Sequence, residues 1–364
     1  MPDINLGLNE MNHLNPDTLR FILESAILAP SADNQHRVRF KLDQNAIRVT
    51  YTEPALPPPG GYKRALVLMS LGALVENLTI AASRFGIQAV TALYPDPNQP
   101  DWVLQTHLQP DQAVVDPLWQ SISLRHTNRR VFFHGPQMSE AERGELDAAA
   151  NAFPACQLLW LDDPAKRNHA LRLMRLAETE RFRTRLLHDE LFSAIRFEAG
   201  WRETCPEGLP PGALGVEPPL RPIFALLRHW PAMRLANLLG AHYMLGWRAC
   251  DLPCRLAPHL GLLAVKNSDD QSVYDVGRTF QRVWLAATSQ GRVLQPMPAS
   301  AIFALEGASV EGIPIATQHS LADGWKSSLG EAIPLMLFRT GFAKPLAVAA
   351  GRAGVEAYAD TENG

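Results

Sequence analysis

One fifteen-residue pattern occurs twice in this chain, and it limits the fold more than any other feature. Gly72 to Gly86 can be laid on Gly277 to Gly291. Both segments begin and end in glycine. Both carry Ala-Ala at the same offset, Ala81-Ala82 and Ala286-Ala287, with apolar residues at matching helical positions. Small residues on one face let two helices approach closely. A repeat of this kind predicts two copies of one αβ unit, related as the halves of a dimer joined in one chain. Two amphipathic helices alike by chance are the plainer reading.

The chain has 364 residues, room for two such units with a real core. Lys+Arg 34 against Asp+Glu 37 leaves a net charge of −3, so a global basic field for nucleic acid is absent. Only six of the basic residues are Lys; the rest are Arg, whose planar fork suits phosphate and carboxylate. Cys156, Cys205, Cys250 and Cys254 offer no second closely spaced pair beside Cys250/Cys254. Neither a zinc site nor a disulfide framework is expected. The start lacks a basic and an apolar leader region, and Ala232 to Trp247 is too short and polar to span a bilayer. The expectation is a soluble cytoplasmic protein, monomer or homodimer, with no nucleic-acid or membrane partner.

Asn15-Pro16 predicts a helix start, ended by Pro30. Residues 37–42 and 46–51 read as strands, 64–85 as a long helix, and 88–94 and 102–108 as further strands. Ser139 with Glu142 forms a capping-box pattern for a helix to Asn151, followed by a strand at 156–161. Residues 164–197 read as charged helix. Between Pro206 and Pro231 stand seven prolines and three glycines, a stretch predicted to be neither regular helix nor sheet. Its apolar residues argue for an ordered loop, a lid over a site or a structural brace. The helix after it, from Ala232, is expected to be mostly core.

Three clusters carry potential chemistry. Pro30-Ser31-Ala32-Asp33-Asn34 follows the first helix and reads as an Asx turn unless a ligand uses it. Arg125-His126-Thr127-Asn128-Arg129-Arg130 gathers guanidinium forks and a hydroxyl, the groups a phosphate monoester requires. A solvated face is its plainer reading. Leu337 to Ala343 reads as an apolar strand that leads on to Gly351 and a lone Arg352; an edge strand with a solvated Arg is the plainer reading.

Together these motifs resemble the FMN-dependent nitroreductase family. Arg125-His126-Thr127-Asn128-Arg129 is similar to its Arg-Arg-Ser-x-Arg motif, with Thr in place of Ser. Pro30-Ser31-Ala32-Asp33-Asn34 matches its Pro-Ser-x-x-Asn motif, and Gly277 to Gly291 its Gly-started helix. The order differs from a homodimeric member. The first half has the Pro-Ser loop with no Arg motif before it; the second has the Arg motif and no Pro-Ser loop. The halves are complementary, as in a fused pair in which one flavin site was kept. This resembles the single-chain Acg-type branch, in which an inserted segment covers the flavin.

The resemblance implies an α+β, nitroreductase-like fold: two related halves, 1–115 and 116–364, with mainly antiparallel sheets flanked by helices and a lid-like insertion at 201–231. It implies FMN as cofactor and hydride transfer through flavin N5 to a small nitro, quinone or heterocyclic substrate, with NAD(P)H as a partner. By residue, Arg125, His126 and Thr127 belong to the phosphate site, and Arg352 adds charge there. Arg129 lies at the N1–O2 edge of the ring. Pro30, Ser31 and Asn34 pack along the ring from the other half. Gln295 and Met297 belong to the loop near N5, where Pro298 lacks an N–H. His36-Arg37-Val38 also departs from the usual Gln-Pro-Trp. The alternative is a protein that sequesters FMN beneath its lid with little turnover.

Overall fold

A computed structural model describes residues 14–360 apart from 44–45, 54 and 111–112. In chain order the first half contains α1 (Pro16–Ile27), β1 (Val38–Asp43), β2 (Ala46–Tyr51), α2 (Tyr62–Ser83), β3 (Gln88–Leu93) and β4 (Trp102–Gln109). The second half opens with α3 (Glu140–Ala150), β5 (Cys156–Trp160), α4 (Pro164–Arg183) and α5 (Arg185–Ser193). It continues through α6 (Arg221–Leu227), α7 (Trp230–Leu238), α8 (Ala241–Gly246), α9 (Leu252–Leu256), β6 (His259–Val265) and α10 (Asp270–Ser289). Last come β7 (Val293–Pro296), α11 (Ala299–Ile302), α12 (Ile315–Leu329) and β8 (Ile333–Gly341).

Each half builds one four-stranded antiparallel sheet, and the strand order is the same in both. The first sheet runs β1-β2-β4-β3 and the second β5-β6-β8-β7. A helix precedes the first strand of each, and a long helix joins the second strand to the third. The halves differ by insertion. Strands β1 and β2 are separated by only two positions in the chain, whereas α4 to α9 lie between β5 and β6. The fold is therefore α+β with two related halves.

The long helices α2 and α10 pack against each other, and the repeat explains how. A Cβ on Gly72 would lie 2.1 Å from the Tyr274 carbonyl oxygen; one on Gly277 would lie 2.2 Å from that of Met69. Glycine is required because backbone occupies the space. In the repeat alignment Met69 corresponds to Tyr274, so the two contacts are one contact made twice. Polar pairs obey the same rule. Glu76 accepts from Arg282 Nη1 at 2.6 Å, and Asn77 Oδ1 accepts from Gln281 Nε2 at 2.6 Å. Positions 76 and 77 correspond to 281 and 282. Residue i meets j′ while j meets i′, the signature of a two-fold contact. Gly86 and Gly291 end the two repeats in the same left-handed conformation, at φ 74° and 72°.

By length and composition α2 could cross a membrane, with mean hydropathy 1.8 over its best window; 78% of that window is buried here. Its apolar surface is covered by α1, α10 and the first sheet. A polar spine is threaded through this packing. Glu76, 1% exposed, is held by Arg278 and Arg282, and Arg282 also bonds Asp116.

Several expectations need correction. Asn15 caps α1 and the Ser139/Glu142 capping box is formed, but helix 164–197 is broken at Thr184, which is extended. The Pro-rich stretch is not devoid of regular helix: Arg221–Leu227 is α6. Pro222 takes its second position, where a missing N–H is harmless. The helix after it is not core. In α7 only Met233 is buried. Leu235, Leu238 and Leu239 point to solvent.

Candidate functional site

Helix α1 ends at Ile27, and the carbonyls of its last turn need partners. Side chains from distant parts of the sequence supply them. Arg125 donates to Leu28 O at 2.9 Å. Arg352 donates to Ile27 O at 2.7 Å and Ala29 O at 2.5 Å. The His36 imidazole Nε2–H reaches both Ile27 O and Ala29 O at 3.0 Å. The chain then turns sharply. Asp33 and Asn34 adopt left-handed conformations at φ 53° and 60°, which short polar side chains tolerate. That turn aims Asn34 at Arg352, whose Nη1 donates to Asn34 Oδ1. The Asn34 amide donates to Gly208 O at 2.9 Å and Gly351 O at 3.1 Å. Pro30 and Ser31 lie between these contacts, and the buried Ser31 Oγ has no hydrogen-bond partner.

The basic cluster is not a solvated face. Thr127 bridges to Leu294 of β7, and the Asn128 N–H donates to Leu294 O, so this strip runs beside the second sheet. Asn128 and Arg130 bond the carbonyls of Lys344 and Pro345. Arg125 is buried over the Trp284 ring, 4.4 Å from its centroid, and its Nε is without a partner. Arg129 reaches Ala213 O at 3.4 Å in the Pro-rich segment. His126 is exposed, and the hydroxyl of Thr127 has no protein partner among the described residues.

The structure therefore brings Pro30, Ser31, Asn34, Arg125 and Arg352 together across the two halves, with Arg129 joined to them through the Pro-rich segment. Gln295 and Met297 are placed differently. Arg339 grips Gln295 Oε1 with two donors at 2.8 and 2.7 Å. The Met297 amide donates to Leu337 O at 2.7 Å, so it is not free to serve a ligand. Ala299 heads α11, where an amide has no intrahelical acceptor.

The edge-strand reading needs correction, as does that of a solvated Arg352, which is bonded at the end of α1. Strand β8 lies between β6 and β7, not at an edge, and Arg339 is 0% exposed. Its guanidinium stacks 3.8 Å from the Phe133 ring centroid and donates to the carbonyls of Arg130, Val131 and Pro253. It anchors the segment that carries Arg129. The sequence signal for it was an arginine inside an otherwise apolar strand. Trp284 carried none beyond its place on the repeat helix.

The electrostatics have one common cause. Burial pushes the Arg125 guanidinium down to about 9, helped by the nearby Arg352 charge. Burial pushes Arg129, Arg339 and Arg352 down to about 10. None of the four is within ion-pair distance of a carboxylate among the described residues. Asp33 and Glu207 act on Arg129 and Arg352 only at longer range. Arg125, Arg129 and Arg352, desolvated and bonded to carbonyl oxygens, form a site of positive potential, and burying such charge is costly unless an anion arrives. The unpartnered Arg125 Nε, Ser31 Oγ and Thr127 hydroxyl are donors fit for a phosphate.

No family model matches the chain, and no curated protein matches it. Among solved structures it is similar to the FMN-dependent nitroreductase NfnB from Mycobacterium smegmatis in complex with NADPH, at 20% identity. That match covers 67% of this chain and 97% of that one, with a TM-score of 0.36. It is similar to iodotyrosine deiodinase bound to FMN and 3-iodo-L-tyrosine, at 13% identity, 65% and 95% coverage and a TM-score of 0.35. It is also similar to a BluB-like flavoprotein from Clostridium difficile, at 11% identity, 66% and 97% coverage and a TM-score of 0.37.

Proposed function

We propose that this chain is an FMN-dependent oxidoreductase of the nitroreductase type, acting on a small nitro, quinone or heterocyclic compound with NAD(P)H as electron source. The observation that carries the proposal is the meeting of the desolvated Arg125 and Arg352 with the Pro30–Asn34 turn, where the turn's own Asp33 forms no ion pair with either. FMN, when bound, supplies two-electron hydride chemistry at N5. Arg125, Thr127 and His126 would hold its phosphate, with Arg352 adding charge. Arg129 would set positive potential along the N1–O2 edge. Pro30, Ser31 and Asn34 would pack along the ring from the first half. The division into halves 1–115 and 116–364, their origin as a fused pair of the Acg type, and a cytoplasmic location belong to the same proposal.

A second reading is favoured by a specific contact. The Pro-rich segment is closed onto the site through Gly208 O to Asn34 and Ala213 O to Arg129. A cover bonded in this way suits a protein that sequesters FMN with little turnover.

Titration of the purified protein with FMN tests both. One FMN per chain is expected, because only one Pro-Ser loop and one Arg motif are present. Bleaching of the yellow protein by NAD(P)H under anaerobic conditions supports the enzyme, and a yellow but inert protein supports sequestration. Failure to bind FMN ends both readings, and two equivalents per chain overturn the single-site argument.

A further inference from the structure

The chain as a whole is acidic, at net −3, yet from Pro218 to Cys250 it contains no Asp or Glu and four Arg. This segment forms α6, α7 and α8. Their outer surface is apolar: Ile223 and Leu226 on α6, Leu235 and Leu238 on α7, and Tyr243 and Met244 on α8 are all exposed. Leu239, in the turn between α7 and α8, is 91% exposed, and Leu238 beside it 79%. Arg234 stands exposed among these leucines and makes no ion pair among the described residues. The acids that bound the segment are neutralised. Glu217 pairs with Arg248, and Asp251 with Arg175 and Arg255. An open groove of about 730 Å³ beside Tyr243, Met244 and Trp247 is lined by Arg172 and Arg175.

Scattered exposed leucines need no explanation, but a contiguous apolar tip does. A second copy on this face would press two acid-free, Arg-bearing tips together. An anionic bilayer satisfies both properties at once: the leucines enter the headgroup–acyl boundary while arginines meet the lipid phosphates. We propose that the α7–α8 tip is a peripheral binding surface for anionic lipid membranes. The tip is too short to span a bilayer; it lies on one.

Flotation of the full-length protein tests this, with phosphatidylcholine vesicles compared to vesicles of phosphatidylcholine mixed with phosphatidylglycerol. Binding is expected to the mixed vesicles, to weaken sharply on neutral ones and to fall with added salt. Leu238→Glu/Leu239→Glu should reduce it at least about tenfold, with an unchanged thermal melt, because both side chains are exposed. Should that variant not fold, Arg234→Gln carries the test, with a loss of about fivefold. Absence of binding to mixed vesicles overturns the proposal, as does a double variant that binds like the wild type. Equally decisive against it is a wild-type dimer that the double variant dissolves without any vesicle binding; the tip is then an interface between copies.

Discussion

Arg125 has two roles to separate, since it both caps α1 through Leu28 O and faces the proposed phosphate site. Arg125→Ala should weaken FMN binding by about 1.5–3 kcal/mol, the range for hydrogen bonds to charged groups. Riboflavin, which lacks the phosphate, should lose much less. Equal losses in parallel titrations would make Arg125 a cap and nothing more. His36 gives a pH effect of known sign. Burial, with the Arg352 charge second, pushes its imidazole down to about 3, while an unfolded histidine titrates near 6.5. The folded state holds His36 neutral, so its contribution is fully present above pH 6.5 and is lost as pH falls towards 3. At pH 5 the loss is about 2 kcal/mol. Urea denaturation at pH 7.5 and pH 5 should show that fall in the wild type. In His36→Asn the fall should be smaller by about that amount; an unchanged slope would show that His36 titrates normally.

Among elements, the α2–α10 contact is the least forgiving. A methyl at Gly72 would meet the Tyr274 backbone, which cannot rotate away as a side chain could. Gly72→Ala and Gly277→Ala should each destabilise the protein by about 2–3 kcal/mol in urea denaturation. By the two-fold logic the two losses should be similar; a neutral Gly277→Ala would contradict the packing described. The Pro-rich cover has its own test at Gly215. This residue has φ +70°, and a Cβ there would lie 2.5 Å from the Arg129 carbonyl oxygen. Gly215→Ala should lift the cover from Arg129. Faster reduction of bound FMN by NAD(P)H is the outcome for sequestration, and a lower kcat/KM is the outcome if the segment shapes a substrate pocket. No change in either rate would make the segment a brace.

At the scale of the whole molecule the halves should not survive apart. Without α10, Glu76 would lose both Arg278 and Arg282, and the apolar face of α2 that packs on α10 would be exposed. Residues 1–115 alone should be unfolded or insoluble by circular dichroism, and co-expression with 116–364 should rescue them. A soluble, cooperatively melting fragment would show that the halves are independent domains. The sequence by itself determined the repeat, the caps of α1 and α3 and most strands, because periodicity, proline and glycine act over a few residues. It also determined which motifs each half carried. Only the tertiary structure decided that Arg352 and Arg125 meet at the end of α1, that Arg339 lies in the centre of a sheet, and that the leucines of α7 face outward. Charge burial and strand order depend on contacts between residues from some tens to hundreds of positions apart. An arginine in an apolar strand looks the same at an edge as in a core. The leucines of α7 follow the same helical spacing whether covered or bare, and only the neighbours that the fold brings, or withholds, tell the two apart.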